Sequence, residues 1–263
     1  MGFSLMTLIL VSFLALTHAL PSMPAVTPPP SLERREDARG PKRLTVTIEN
    51  KMNEPLSTSY VTNPGAPTLL KGDEQPSTMA ASATTSIVVP SGWAGNIAMG
   101  LAKYAMSGDT SLIEGSLTKQ MNNPYLSVDI DVSYVSSPTK VLCHTHIAET
   151  LTSNSNGFSV PITCSCNRDD TVLSGCNLDL WSLGKCSGDA GTDNRQGACA
   201  NPLRPYDEDN MTATEFFLPC QGAAFTWARD NANSNEGCQS GKVTCCVGTG
   251  EDGCPANPKQ ASE

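Results

Sequence analysis

The stretch Tyr125-Leu126-Ser127-Val128-Asp129-Ile130-Asp131-Val132-Ser133-Tyr134-Val135 decides the fold class. Leu126, Val128, Ile130 and Val132 fall on one side of an extended chain, and Ser127, Asp129, Asp131 and Ser133 fall on the other. A period of two is what a strand shows when one face packs on a core and the other meets water. Leu44-Thr45-Val46-Thr47-Ile48-Glu49 repeats the pattern. Ser86 to Val89, Gly157 to Ile162 and Gly241 to Val247 are further strand candidates. No window sustains an apolar period of 3.6, apart from a short helix predicted at Leu178 to Leu183. The 21 Gly and 19 Pro supply turns in abundance. The expectation is an all-β, antiparallel fold with long loops.

The first 43 residues read differently. Met1 to Leu16 carries an apolar run, and small residues follow at Thr17 and Ala19. This predicts a secretory signal over residues 1–19. The run is too short to cross about 30 Å of hydrocarbon. Residues 20–43 are Pro-rich and then charged, a composition that buries too little apolar surface to fold. They read as a propeptide or linker ending in the dibasic pair Lys42-Arg43. One domain is expected over 44–250, with a polar tail over 251–263.

The formal net charge is −9. Residues 1–43 hold five basic and three acidic side chains, so the remainder carries −11. That balance speaks against nucleic acid, which needs a basic footprint, and against an anionic membrane face. A monomer without nucleic-acid or membrane partners is the expectation.

All eleven cysteines lie between Cys143 and Cys254. In a secreted chain their default is disulfides, so the first half relies on its core and the second on covalent staples. The odd count leaves one over, and spacing alone does not determine the pairing. Cys143-His144-Thr145-His146 with Cys164-Ser165-Cys166 has the residue types of a metal site, but not the usual zinc spacing. No metal or other cofactor is expected. Gly248-Thr249-Gly250-Glu251-Asp252-Gly253 matches G-x-G-x-x-G but is followed by Cys254 and no helix, so it reads as a turn. Asn210-Met211-Thr212 is a glycosylation sequon, which places Asn210 on the surface.

The remaining chemistry lies in carboxylates. Asp129 and Asp131 project from the polar face of one strand, about 6.6 Å apart along the chain. Glu114 lies in Ser111-Leu112-Ile113-Glu114-Gly115-Ser116-Leu117, and Asp207-Glu208-Asp209 forms a third acidic group. Paired carboxyls flanking a glycosidic bond are what sugar hydrolysis uses, and an acidic, hydroxyl-rich face also binds glycans without cutting them.

Several segments, in order, resemble the thaumatin-like (osmotin, pathogenesis-related 5) family in a divergent, secreted fungal form. They are Leu44 to Asn50, Gly92-Trp93-Ala94-Gly95-Asn96-Ile97, Ser111 to Leu117, Asp131-Val132-Ser133 followed by Gly157-Phe158-Ser159-Val160-Pro161, Gly175 to Leu180, and Phe216 to Cys246. The resemblance implies a flattened antiparallel β-sandwich with disulfide-rich loops over about 164–212. It implies the pairs Cys176–Cys220 and Cys186–Cys199, and Cys238 with Cys166 or Cys164. Where the family has a cysteine after its first strand, this chain has Met52, so Cys246 is left to pair with Cys143 or Cys254 or to stay free. Ser136 to Asn156 is an insertion.

The resemblance places Glu114 and Asp131 in an acidic cleft with Asp129 beside them, as binders of β-1,3-glucan or another cell-wall glycan. The family's Arg has no clear counterpart, Asn96 standing near its place, and Thr212 stands near the site of a further Asp. The expected role is therefore glycan binding. A secreted effector or inhibitor that contacts a host protein through Ser136 to Asn156 is the alternative. A weak endo-β-1,3-glucanase, with Glu114 as proton donor and Asp131 as partner carboxylate, is a second alternative, less favoured because general acid catalysis needs a carboxyl tuned by its neighbours. The expected location is the extracellular space or cell wall.

Overall fold

The computed structural model describes residues 40–72, 77–119, 126–135, 157–167, 171–203, 212–230 and 238–262. The predicted signal over 1–19, nearly all of the Pro-rich segment, the insertion with Cys143 and both of its histidines, Asp207 to Asp209 and the Asn210 sequon lie outside these residues.

The strands are β1 (Arg43–Asn50), β2 (Leu56–Thr62), β3 (Ser77–Met79), β4 (Thr84–Pro90), β5 (Ala94–Leu101), β6 (Ser111–Lys119), β7 (Leu126–Ser133), β8 (Gly157–Phe158), β9 (Ile162–Cys166), β10 (Thr171–Cys176), β11 (Thr192–Asp193), β12 (Cys199–Ala200) and β13 (Lys242–Val247). One sheet runs β10-β9-β13-β1-β4 and a second runs β3-β2-β5-β6-β7, while β11-β12-β8 form a small third sheet. The protein is all-β and built from antiparallel sheets, with one exception. β1 and β13 pair in parallel, so the first and last strands lie side by side.

The alternation read in the sequence becomes the core. Leu44, Val46 and Ile48 of β1 and Val128, Ile130 and Val132 of β7 are buried together with Ile97, Met99, Ile113, Leu117, Val243 and Val247. Each such side chain taken fully from water contributes about 1.5–3 kcal/mol. Tyr134, Phe158, Phe216, Phe217 and Trp181 pack edge to face or tilted, with centroids 5.1–6.3 Å apart, and join the strands to the disulfide-rich half.

β2 and β5 were not legible from period two. β2 is Leu-Ser-Thr-Ser-Tyr-Val-Thr, and its buried face includes Thr58. β5 carries a glycine, Gly95, on the face of Ile97 and Met99, and a second, Gly100, on the other face. The strand expected over Gly157 to Ile162 is broken in two. Ser159, Val160 and Pro161 form the link, where Ser159 donates to the Met99 carbonyl (2.6 Å) and Ser111 donates to the Val160 carbonyl (2.8 Å). Pro161 has no N–H to continue a ladder. The predicted helix contracts to α1 (Leu180–Leu183), whose first turn is capped by the Asp179 carboxylate accepting from Trp181 N at 3.1 Å.

Five disulfides are present: Cys164–Cys245, Cys166–Cys238, Cys176–Cys220, Cys186–Cys199 and Cys246–Cys254. The first four are concentric in sequence, each enclosing the next. The polar stretch after Gly250 does not hang free. Cys254 and Asn257 are buried, and Asn257 donates to the Gly175 carbonyl at 2.9 Å and Gln260 to Asn177 Oδ1 at 2.6 Å. Asp252 Oδ2 accepts from Thr249 N and Oγ1, which closes the glycine-rich turn.

At the other end, Arg43 is the first residue of β1, a strand paired on both sides. Gly241 sits so close that a Cβ there would lie 2.5 Å from the Arg43 carbonyl oxygen and from Pro41. Leu44 is fully buried. Lys42 and Arg43 are exposed, but a protease cutting after them also has to grip the residues that follow, and those are held in the sheet. Native protein treated with a dibasic-specific protease is expected to keep the Arg43–Leu44 bond. An N-terminal sequence beginning at Leu44 from natively folded starting material would overturn this.

Candidate functional site

The cleft is built on the outer face of the second sheet. β5 and β6 pair so that Asn96 lies opposite Glu114, and β6 and β7 pair so that Glu114 lies opposite Asp131 and Ser116 opposite Asp129. Directly opposed residues in an antiparallel pair have Cβ atoms about 4.5–5.5 Å apart. The register therefore makes a row, Asn96-Glu114-Asp131, with Ser116 and Asp129 in the next row. These residues, with Asn63, line an open cleft of about 160 Å³.

The floor depends on two glycines. Gly95 and Gly115 are register partners on β5 and β6. A Cβ at Gly95 would lie 2.7 Å from the Trp93 ring, and one at Gly115 would lie 3.4 Å from that ring and 2.8 Å from Ile130. The buried Trp93 indole thus fits against backbone on the core side. Side chains larger than hydrogen there would push the indole away and misplace the strands that present Glu114 and Asn96.

Glu114 is half-buried at its surface, but its carboxyl is set deep among protein atoms. That loss of water pushes its pKa up to about 7. A hydrogen bond with the Ser133 side chain acts in the opposite direction, and the negative charge of Asp129 adds to the rise. Below neutral pH, Glu114 therefore carries a proton and can donate as well as accept. Asp129 and Asp131 are each half-exposed, with Oδ1 buried. Asn96 is 6% exposed, and the half-buried Asn63 also lines the cleft. The cleft thus holds an O–H donor, amide groups and carboxylate acceptors on one face of the sheet.

The three carboxylates named from the sequence fall in this one cleft. Asn63, Ser116 and the glycine pair were not identified as site residues; their membership follows from strand register, which no local pattern encodes. Among the described residues no group of three or more His, Cys, Asp or Glu is arranged to hold a metal ion, and Cys164 and Cys166 are disulfide-bonded.

No family model matches the chain, and no curated protein matches it. Among solved structures it is similar to the crystal structure of the protein elicitor MoHrip2 from Magnaporthe oryzae, at 14% identity and a TM-score of 0.30, over 51% of this chain and 76% of that one. A similarity this distant assigns neither fold nor function.

Proposed function

We propose that this is a divergent thaumatin-like secreted protein that binds β-1,3-glucan or a related cell-wall glycan through the Glu114, Asp129 and Asp131 cleft. The observation that carries the reading is the cross-strand row Asn96-Glu114-Asp131. Sugar hydroxyls both donate and accept, and this row offers both kinds of partner over a few ångströms. The cleft is smaller than the roughly 300–1,000 Å³ of sites that enclose a small molecule. It suits the edge of one sugar ring in a longer polymer. Five disulfides fit an oxidising, extracellular setting.

Mature protein sedimented with insoluble β-1,3-glucan is expected to partition into the pellet. Glu114→Ala with Asp131→Ala is expected to return most of it to the supernatant, about a tenfold or larger loss for two removed hydrogen-bonding groups. Wild-type protein that stays in solution would sink the proposal. The raised pKa of Glu114 favours one further reading, a weak endo-β-1,3-glucanase with Glu114 as proton donor and Asp131 as partner carboxylate. Release of reducing ends from soluble β-1,3-glucan tests it, and none at high protein concentration removes it. In the alternative role as a secreted effector or inhibitor, the contact segment would be Ser136 to Asn156, outside the described residues. Its deletion tests that role.

A further inference from the structure

A second, larger cavity lies at the opposite end of the strands from Arg43, where the sandwich meets the disulfide-rich half. It is open to solvent on one side and has a volume of about 560 Å³, within the usual range for small-molecule sites. Its walls come from separate elements. Tyr104 follows β5, Asp179 and Trp181 belong to α1 and its cap, Asp193, Arg195 and Gly197 belong to the β11–β12 hairpin, and Asp252 follows β13. We infer that this cavity is a binding site for an uncharged oligosaccharide of two or more sugar units, separate from the Glu114 cleft.

The walls are held in place before any ligand arrives. The hairpin is stapled by Cys186–Cys199. Asn194 donates to Ser107 Oγ (2.9 Å) and Asp109 Oδ2 (3.0 Å), tying the hairpin to the loop after β5. Tyr104 lies against Gly197 so closely that a Cβ there would come within 2.3 Å of its ring. Trp181 has its ring 5.4 Å from Phe216, edge to face, and remains half-exposed toward the cavity. A preorganised wall loses little side-chain entropy on binding.

The chemistry selects the ligand class. Aromatic rings offer flat apolar faces to the C–H side of a sugar ring, with polar groups at their edges. Asp179, Asp193 and Asp252 each accept from local backbone N–H groups, and each carboxylate has further acceptor capacity toward hydroxyls. Arg195 supplies donors. An anionic ligand would face these carboxylates and the exposed Glu251. A small cation would be drawn to the carboxylates but would leave the Tyr104 and Trp181 rings and the Arg195 donors unused. An uncharged polyol avoids the repulsion and uses the rings, the donors and the acceptors together.

Trp181 also provides the readout. Trp93 is 2% exposed and Trp227 is 9% exposed, so Trp181 is the most exposed of the three tryptophans. Titration with a β-1,3-linked glucose tetrasaccharide and, separately, a chitin tetrasaccharide is expected to give a saturable change in tryptophan fluorescence with at least one of them. Glu114→Gln with Asp131→Asn is expected to retain that change, which separates this site from the cleft. Tyr104→Ala and Arg195→Ala, both at exposed positions, are each expected to weaken binding about tenfold, the scale of one lost stacking or charged contact. Gly197→Ala is expected to weaken it without removing any ligand contact. Calorimetry with Trp181→Phe checks the loss independently of the fluorophore. Absence of a saturable change with either sugar, unchanged affinity in both Tyr104→Ala and Arg195→Ala, or a response to a tetra-arginine peptide in place of the sugars would overturn the inference.

Discussion

A variant lacking both Cys164–Cys245 and Cys166–Cys238 is expected to lose about 6 kcal/mol, while removing either bridge alone is expected to cost only about 2.5 kcal/mol. The reason is nesting. Cys164–Cys245 joins β9 to β13 and Cys166–Cys238 joins β9 to the turn before β13, and only about nine residues separate the two bridges along the chain. With one in place, the other closes a short loop in the unfolded protein. With both gone, the sheet is held to the disulfide-rich half only by the inner pair Cys176–Cys220 and by packing. Typical domains have 5–15 kcal/mol in total, so the double removal brings this one to the edge of folding. Urea denaturation of Cys→Ala variants at the two pairs measures the three values. Single losses that simply sum to the double loss would show that the bridges act independently.

Glu114→Gln is expected to make the protein more stable above neutral pH and to flatten part of its pH dependence. The sign follows from the proton count. The carboxyl of Glu114 ordinarily titrates near 4.5, and in the folded protein it does so at about 7. Between those values the folded state holds a proton that the unfolded state has released. Stability is therefore greatest below about pH 4.5 with respect to this group, and falls as pH rises to about 7. The full difference corresponds to up to about 3 kcal/mol, and partial opening to the cleft brings the expected value to about 2 kcal/mol. Glutamine keeps the shape and cannot ionise. Denaturation at pH 5 and pH 8 should show wild type losing about 2 kcal/mol more than the variant. Other titrating groups cancel in that difference. Equal losses in the two proteins would mean that Glu114 ionises without hindrance in the folded state.

That expectation rests on a residue visible in the sequence but on an environment that was not. Asp129 and Asp131 stood out as carboxylates on the polar face of one strand, and Glu114 through the family resemblance. Their convergence required β6 to pair with β7 in the register that sets Glu114 against Asp131. A one-residue slip would have sent the same side chains into the core. The Trp93 indole over Gly95 and Gly115 is a second case. Each glycine alone reads as a weak point in a strand, and only their pairing explains both. The aromatic cavity went unread altogether, because Tyr104, Trp181 and Arg195 lie far apart in the chain and share no spacing.

By itself the sequence determined the fold class, the buried face of β1 and β7, the acidic character of the protein and the concentration of cysteines in one half. Those are local or compositional properties, set by side-chain period and residue counts. Tertiary structure alone decided that the first and last strands lie parallel, that the stretch after Gly250 is laced into the core, that Cys246 pairs with Cys254, and that two separate clefts exist. Each of these depends on contacts between residues distant in sequence. They are selected by the burial of the whole core at once, which no segment specifies on its own.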